Sequence, residues 1–153
     1  MDNTLSNFDI ENILKSMGLK LNGIFSKDDL PELQKGFYIV NLEAKNDGNG
    51  THWTTFYFND KNDIWYFDAF GFPPPVEVQN NFNEYGFNDK QIQDLNSTAC
   101  GYYCIGFIKY MTNKNDNKKT FEKFINIFSN DTKKNDYILK KYLNLKKPQK
   151  VMS

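Results

Sequence analysis

The feature that most constrains the fold is a cysteine placed at the beginning of a long, largely apolar stretch. Cys100 and Gly101 lead into this stretch, and the pattern predicts a central helix over residues 97–111. A thiol at the start of a helix feels the positive end of the helix dipole, which favours the thiolate. Because the thiolate is the reactive form, this position predicts that Cys100 is a nucleophile.

Three other residues could complete a reaction centre around Cys100. Gln93 precedes it by seven residues, and the Gln93 amide with the backbone N–H of Cys100 could form an oxyanion hole. His52 is the only histidine and supplies a possible base, which Asp68 could orient. A thiol, a base, an acid and an amide donor are the parts of a cysteine protease.

The spacing of a predicted hairpin supports the pairing of His52 with Asp68. A turn centred on Lys61 places Asp68 opposite Thr54, and it places Phe70 opposite His52. His52 and Asp68 are then diagonal neighbours on one face of the hairpin, about 7–8 Å apart at their Cα atoms. A slip of one residue in the register would put them on opposite faces.

Each of these residues has an ordinary explanation when it is taken alone. His52 could be a structural or surface histidine, Asp68 a polar residue at a strand end, and Gln93 a surface amide. Cys100 could be a small buried hydrophobe. Taken together, the four residues favour a cysteine-protease site, because their independent spacings in the sequence agree with one. Cys104, at helical spacing with other apolar residues, is expected in the core.

The composition indicates a packed chain with no bias toward nucleic acid. The 153 residues include 16% aromatic residues, and 19 basic residues, all lysine, balance 19 acidic residues. A chain without net charge has no overall field that attracts nucleic acid. The lysine-rich stretch at 133–150 is typical of a solvated helix face and tail. We expect a single domain over residues 1–153.

The cysteine and histidine content argues against a disulfide framework and against a metal site. The two cysteines lie four residues apart on one predicted helix, where a disulfide is unfavourable, so a reducing compartment is expected. One histidine and two cysteines on the same helix fall short of a closed ligand set, so we expect no metal or other cofactor. No stretch resembles a signal peptide or a membrane span, so the sequence predicts a soluble chain.

Hydrophobic periodicity and turn signals predict the α+β class, with a central helix packed on a small mixed sheet. Residues 24–35 and 45–50 are expected to be turns, residues 76–85 are expected to be helical, and prolines 73–75 must leave the sheet. The predicted strands are 37–42, 51–58 and 64–70, and the predicted helices are 8–17, 97–111, 119–129 and 133–144.

Three motifs resemble the adenovirus maturation protease (adenain) and its relatives in virophages and Polinton-type elements, within the superfamily of ubiquitin-like-protein proteases. The motifs are Gly50-Thr51-His52-Trp53, Tyr66 to Phe72, and Gln93 to Cys104. The resemblance implies an adenain-like fold, with His52 as base, Asp68 as acid, Gln93 as oxyanion amide and Cys100 as nucleophile.

The resemblance also implies a viral endopeptidase that cleaves capsid or core precursor polypeptides during virion maturation. Such an enzyme would work as a monomer in the virion and the viral factory of the host cell, and it would favour glycine beside the cleaved bond. Trp53 and Tyr102 are candidates for the substrate cleft, and Tyr103 could narrow it further. Trp53 could shield the His52–Asp68 pair from water, or it could simply pack in the core.

The chain departs from the adenovirus pattern at two points. Its acid is Asp68 where the adenovirus enzymes have glutamate, which the superfamily accepts. It is also shorter between Asp68 and Gln93 and lacks the insertion found there. In the adenovirus enzyme, a spare cysteine receives an activating peptide through a disulfide. Here the spare cysteine is Cys104, so the same activation is not expected, and no feature of the sequence supports a DNA or peptide activator.

Two alternatives share the same residues. An isopeptidase that removes ubiquitin-like modifiers would use the same catalytic set, although the small size argues mildly against it. A protease fold that has lost activity and serves as a virion scaffold would not need all four residues. The intact set therefore favours an enzyme.

Overall fold

The computed structural model describes residues 4–43 and 52–145, which form an α+β structure. The strands are β1 (Gly23–Ser26), β2 (Gly36–Asn41), β3 (Trp53–Phe58), β4 (Ile64–Phe67) and β5 (Tyr85–Phe87). The helices are α1 (Asn7–Ser16), α2 (Val76–Gln79), α3 (Cys100–Met111), α4 (Asn117–Asn126), a short 3₁₀ helix (Thr132–Lys134) and α5 (Asn135–Leu143). The turn expected over residues 45–50 lies outside the described residues.

The strands form one mixed sheet in the order β1-β2-β3-β4-β5. The three central strands are antiparallel, whereas β1 pairs with β2 and β5 pairs with β4 in parallel. The hairpin of β3 and β4 pairs Thr55 with Phe67, which is the register that a turn centred on Lys61 predicts. The mixed sheet and the helix α3 packed against β3 confirm the predicted α+β class.

The two edge strands do not follow from the sequence pattern. β1 runs into the region 24–35 that was predicted to be a turn. β5 begins at the last residue of the helix predicted over residues 76–85, of which only α2 forms. Both predictions were wrong for the same physical reason. The strands are only four and three residues long, and they pair in parallel, so no hairpin turn marks them in the sequence.

The central helix begins at Cys100, three residues after the predicted position at Ser97. The backbone N–H of Ser97 donates to the carbonyl of Asp94 (2.9 Å), and the Ser97 hydroxyl accepts from the N–H of Ala99 (3.1 Å). The first bond closes a turn over residues 94–97, and Cys100 is the first helical residue. The thiol therefore stands where the helix dipole acts most strongly.

The core is built around α3, which contacts the sheet and also α1, α4 and α5. Phe107 of this helix lies flat against Phe67 of β4, with ring centroids 5.7 Å apart. It also meets Phe124 and Phe121 of α4 edge-on, at 6.0 and 6.1 Å. Cys104, one turn after Cys100, is only 1% exposed, which confirms its predicted place in the core.

Replacing Phe107 with alanine should destabilise the protein by about 3–5 kcal/mol, because it opens a cavity between the sheet and α4. Phe8, which is 70% exposed, provides the matched control. Phe8→Ala should change the free energy of unfolding by no more than about 0.5 kcal/mol. Urea unfolding of the two variants measures the difference, and equal effects would contradict the central position of Phe107.

Candidate active site

His52 and Asp68 meet at the open end of the β3–β4 hairpin. His52 immediately precedes β3, and Asp68 immediately follows β4. The register of the hairpin brings their side chains together, so that Nε2 of His52 lies 2.8 Å from Oδ1 of Asp68. The predicted pairing of these two residues is therefore confirmed.

Asp68 is fully buried and is held by bonds to both its side chain and its backbone. The carbonyl of Asp68 accepts from the N–H of Gly71 (2.8 Å), whose φ of +85° closes a turn and ends the strand before the predicted residue 70. The Asn88 side chain donates to the same carbonyl (2.6 Å) and accepts from the N–H of Asp68 (3.2 Å). The N–H of Phe70 donates to Oδ1 (2.8 Å). The carboxylate is thus fixed in position before it meets the imidazole.

Cys100 lies on the other side of the imidazole. Since Nε2 of His52 is bonded to Asp68, Nδ1 is the nitrogen left for the thiol, which is close enough to hydrogen-bond to the ring. Desolvation lowers the pKa of His52, but the hydrogen bonds and charges of Asp68 and Cys100 outweigh it and raise that pKa to about 9. The ring is then an imidazolium at neutral pH, which can hold a thiolate as an ion pair.

The raised pKa of His52 predicts a pH dependence of stability. Because the folded pKa of about 9 exceeds the ordinary value of 6.5, the stabilisation is fully present below about pH 6.5 and is lost as the pH rises through 9. The free energy of unfolding should fall by about 3 kcal/mol through this group. The chain has one histidine, so its ring C–H signals in NMR report the titration directly.

His52→Gln is the control for this titration. Burial also raises the pKa of the Cys104 thiol, which lowers stability at alkaline pH in both proteins. The difference between the wild type and His52→Gln therefore isolates the contribution of the histidine. An NMR midpoint near the ordinary 6.5 would contradict the prediction.

Phe70 is a site residue for which the sequence predicted no role. Its ring stacks on the imidazole of His52, with centroids 4.8 Å apart and an angle of 27° between the rings. Its backbone N–H also donates to the Asp68 oxygen that binds His52. The hairpin register, which places Phe70 opposite His52, was the signal that could have identified it. Phe70 covers one face of the imidazole and restricts its rotation.

Gln93 is buried beside the start of α3. Its backbone N–H and that of Ile92 both donate to the carbonyl of Ala69 at 2.9 Å, so this segment is attached directly after Asp68. The side-chain nitrogen Nε2 of Gln93 donates to the carbonyl of Ser97 (3.0 Å) and contacts the Ser97 hydroxyl (3.3 Å). The predicted amide donor therefore lies between the segment that carries the acid and the helix that carries the thiol.

The two predicted cleft residues and their neighbour differ in exposure. Trp53 is 7% exposed and packs in the main core, where its indole N–H donates to the carbonyl of Leu5 (2.9 Å). Of its two explanations, core packing is therefore the one that the contacts support. Tyr103, expected to narrow the cleft, is instead fully buried. Tyr102 is half-buried in the first turn of α3, and its contact with substrate stays a prediction.

The described part of the chain contains neither a metal-binding cluster nor a membrane-spanning helix. Within residues 4–43 and 52–145, no group of three or more His, Cys, Asp or Glu side chains could hold a metal ion. Among the helices of the same two ranges, none has the length and apolar character needed to cross a bilayer.

The sequence matches no protein-family model, and it has no significant match among curated proteins. Solved structures do match. The structure is similar to the ASFV pS273R protease with a TM-score of 0.56 and 16% sequence identity, over 97% of this chain and 70% of that protein. The chain has the fold of a viral cysteine protease.

This finding confirms the ubiquitin-like-protease fold that the resemblance implied. An identity of 16% establishes the fold and assigns no residue a role. The catalytic roles of His52, Asp68, Gln93 and Cys100 therefore stay predictions, which the geometry of the site supports.

Proposed function

We propose that this protein is a viral cysteine endopeptidase that cleaves capsid-associated precursor polypeptides during virion maturation. One observation carries the proposal. The imidazole of His52 binds the buried Asp68 through Nε2 and lies within hydrogen-bonding reach of Cys100, the first residue of α3. This arrangement, in the fold of a viral cysteine protease, supports thiol chemistry.

The first half of the proposed reaction forms an acyl-enzyme. The Cys100 thiolate attacks the carbonyl carbon of the scissile peptide, a C–S bond forms, and the carbonyl electron pair moves to oxygen. The side-chain amide of Gln93 and the backbone N–H of Cys100 stabilise this oxyanion. The His52 imidazolium then donates its proton to the leaving amine as the C–N bond breaks.

The second half releases the product. His52, now neutral, takes a proton from a water molecule that attacks the acyl carbon. The new oxyanion collapses, the C–S bond breaks, and the thiolate is restored opposite the imidazolium. Asp68 keeps Nε2 engaged throughout, so that Nδ1 always serves the thiol and the substrate.

Substrates are proposed to carry glycine beside the cleaved bond. Cys100 is only 4% exposed, so a substrate backbone must approach closely to reach the thiol. A glycine permits that approach because it has no Cβ. We further propose that the enzyme acts as a monomer in the virion and viral factory. The segment Phe70–Pro75 supports placing it with the adenain-like proteases of the virophage and Polinton type.

The test presents the purified protein with a peptide library, with capsid precursors of the virus that encodes it, and with a ubiquitin-like modifier fused to a fluorophore. We expect cleavage of the precursors beside glycine. Intact precursors together with rapid cleavage of the modifier would replace the endopeptidase with an isopeptidase. Absence of any cleavage, with no reaction of Cys100 toward iodoacetamide, would support an inactive scaffold.

A further inference from the structure

The side-chain amide of Gln93 rests on Ser97, and Ser97 is held by a carboxylate from a distant helix. Nε2 of Gln93 lies 3.0 Å from the carbonyl of Ser97 and 3.3 Å from its hydroxyl. The same hydroxyl lies 2.8 and 3.0 Å from the two carboxylate oxygens of Asp136 in α5. The hydroxyl of Tyr103 in α3 also donates to Asp136, at 2.9 Å.

The hydrogen-bond partners of the Ser97 hydroxyl determine the direction in which it donates its single proton. A serine hydroxyl has one proton to donate and two lone pairs to accept with. It accepts from the N–H of Ala99 and from Nε2 of Gln93, so its own proton goes to Asp136. Because Asp136 accepts this proton, the lone pairs of the Ser97 hydroxyl face the N–H of Ala99 and Nε2 of Gln93.

The beginning of α5 is itself fixed against the segment that carries Gln93. Asn135, which is fully buried, donates to the carbonyl of Ile92 (2.7 Å) and to that of Ser129 (2.9 Å). It also accepts from the N–H of Ser129 (2.8 Å). Asp136 is the next residue, so its carboxylate has a fixed position relative to Gln93.

We propose that Ser97 and Asp136 are positioning residues that hold the Gln93 amide in its oxyanion-binding orientation, an inference that rests on the proposed function. The Gln93 nitrogen carries two N–H groups. The Ser97 carbonyl takes one of them at 3.0 Å. The Ser97 hydroxyl is bonded to Asp136 and to the N–H of Ala99, so it fixes Ser97 and the carbonyl that holds the amide. The second N–H of Gln93 exchanges its weaker 3.3 Å contact with that hydroxyl for the developing oxyanion. Neither Ser97 nor Asp136 touches the substrate.

The test compares Ser97→Ala, Gln93→Ala and the double variant in peptide cleavage. Ser97→Ala should lower kcat by roughly 10- to 100-fold with little change in KM, since a misplaced donor loses much of its effect on the transition state. Gln93→Ala should lose roughly 100- to 1,000-fold. The double variant should be no slower than Gln93→Ala alone, because Ser97 acts only through the amide.

A second readout separates positioning from structural damage. Alkylation of Cys100 by iodoacetamide forms no oxyanion on a carbonyl, so its rate in Ser97→Ala should stay within about twofold of the wild type. Asp136→Ala should resemble Ser97→Ala, and Asp136→Asn, which keeps one acceptor oxygen, should recover part of the activity. Thr132→Val is the matched control. It removes a 2.9 Å bond from the same region to Asp94 and should leave kcat unchanged.

The outcomes are distinct. An unchanged kcat in Ser97→Ala, a parallel loss of alkylation rate, or a further loss in the double variant would each overturn the positioning role while leaving the protease proposal intact. A wild-type protein that cleaves no peptide would overturn the proposed function and this inference with it. Parallel losses in Thr132→Val would also overturn it, because they would show a general effect of loosening the region.

Discussion

Replacing Cys100 with serine should abolish peptide cleavage, whereas replacing Cys104 with alanine should leave it nearly intact. Loss of the nucleophile in a catalytic unit of this kind costs on the order of 10⁵- to 10⁶-fold in kcat. The two cysteines lie one helical turn apart in α3, but their surroundings differ. Cys100 is close enough to hydrogen-bond to the His52 ring, and burial raises the pKa of the Cys104 thiol.

The two variants control for each other. Iodoacetamide near neutral pH should label Cys100 first and stop cleavage, with Cys104 unreacted until the protein unfolds. Cys104→Ala should instead lose about 1 kcal/mol or more of stability, because its side chain is 1% exposed and leaves a small cavity. If Cys104→Ala were inactive and Cys100→Ser active, the assignment of the nucleophile would be wrong.

Asp68→Asn should lower kcat by about 10⁴-fold while leaving the fold intact. Oδ1 of Asp68 accepts from both the imidazole of His52 and the N–H of Phe70. An asparagine has the same shape but only one acceptor oxygen and no charge, so it cannot support an imidazolium in the same way. The pKa of His52 should fall, because the negative charge that raises it is removed and the hydrogen bond to the imidazole loses its charge assistance.

The matched control for this variant is Asp89→Asn. Asp89 is exposed and follows Asn88. Its replacement by asparagine therefore removes one charge near the site without changing a contact of the imidazole. Its kcat and its NMR midpoint for His52 should equal those of the wild type. Asp68→Asn activity within tenfold of the wild type would mean that the carboxylate does not orient the base.

The sequence alone predicted the pairing of His52 with Asp68 and the burial of Cys104, because each depends on a single hairpin or helix. The hairpin of β3 and β4 has a short turn, so counting from Lys61 was enough to place His52 beside Asp68. The apolar period of α3 likewise placed Cys104 inside. In each case the relevant residues are joined by a regular element, whose period converts sequence distance into spatial distance.

Contacts between distant segments could not be predicted in this way. Asn88 binds the backbone of Asp68 across 20 residues, and Asp136 binds Ser97 across 39. No period relates these positions, because irregular loops lie between them. The same holds for β1 and β5, whose parallel partners are reached through crossovers without a turn signal. The supports of the site therefore became visible only in three dimensions.

The reacting groups are divided between two layers of the molecule. The sheet supplies the imidazole and its carboxylate, while the thiol belongs to α3. What joins the layers there is aromatic packing such as that of Phe67 on Phe107. The reactivity of the Cys100 thiol therefore depends on how closely α3 packs against the sheet. In the proposed mechanism, a slight separation of α3 from the sheet moves the imidazolium away from the thiolate while each layer keeps its own hydrogen bonds, so we expect cleavage to be lost before the protein unfolds.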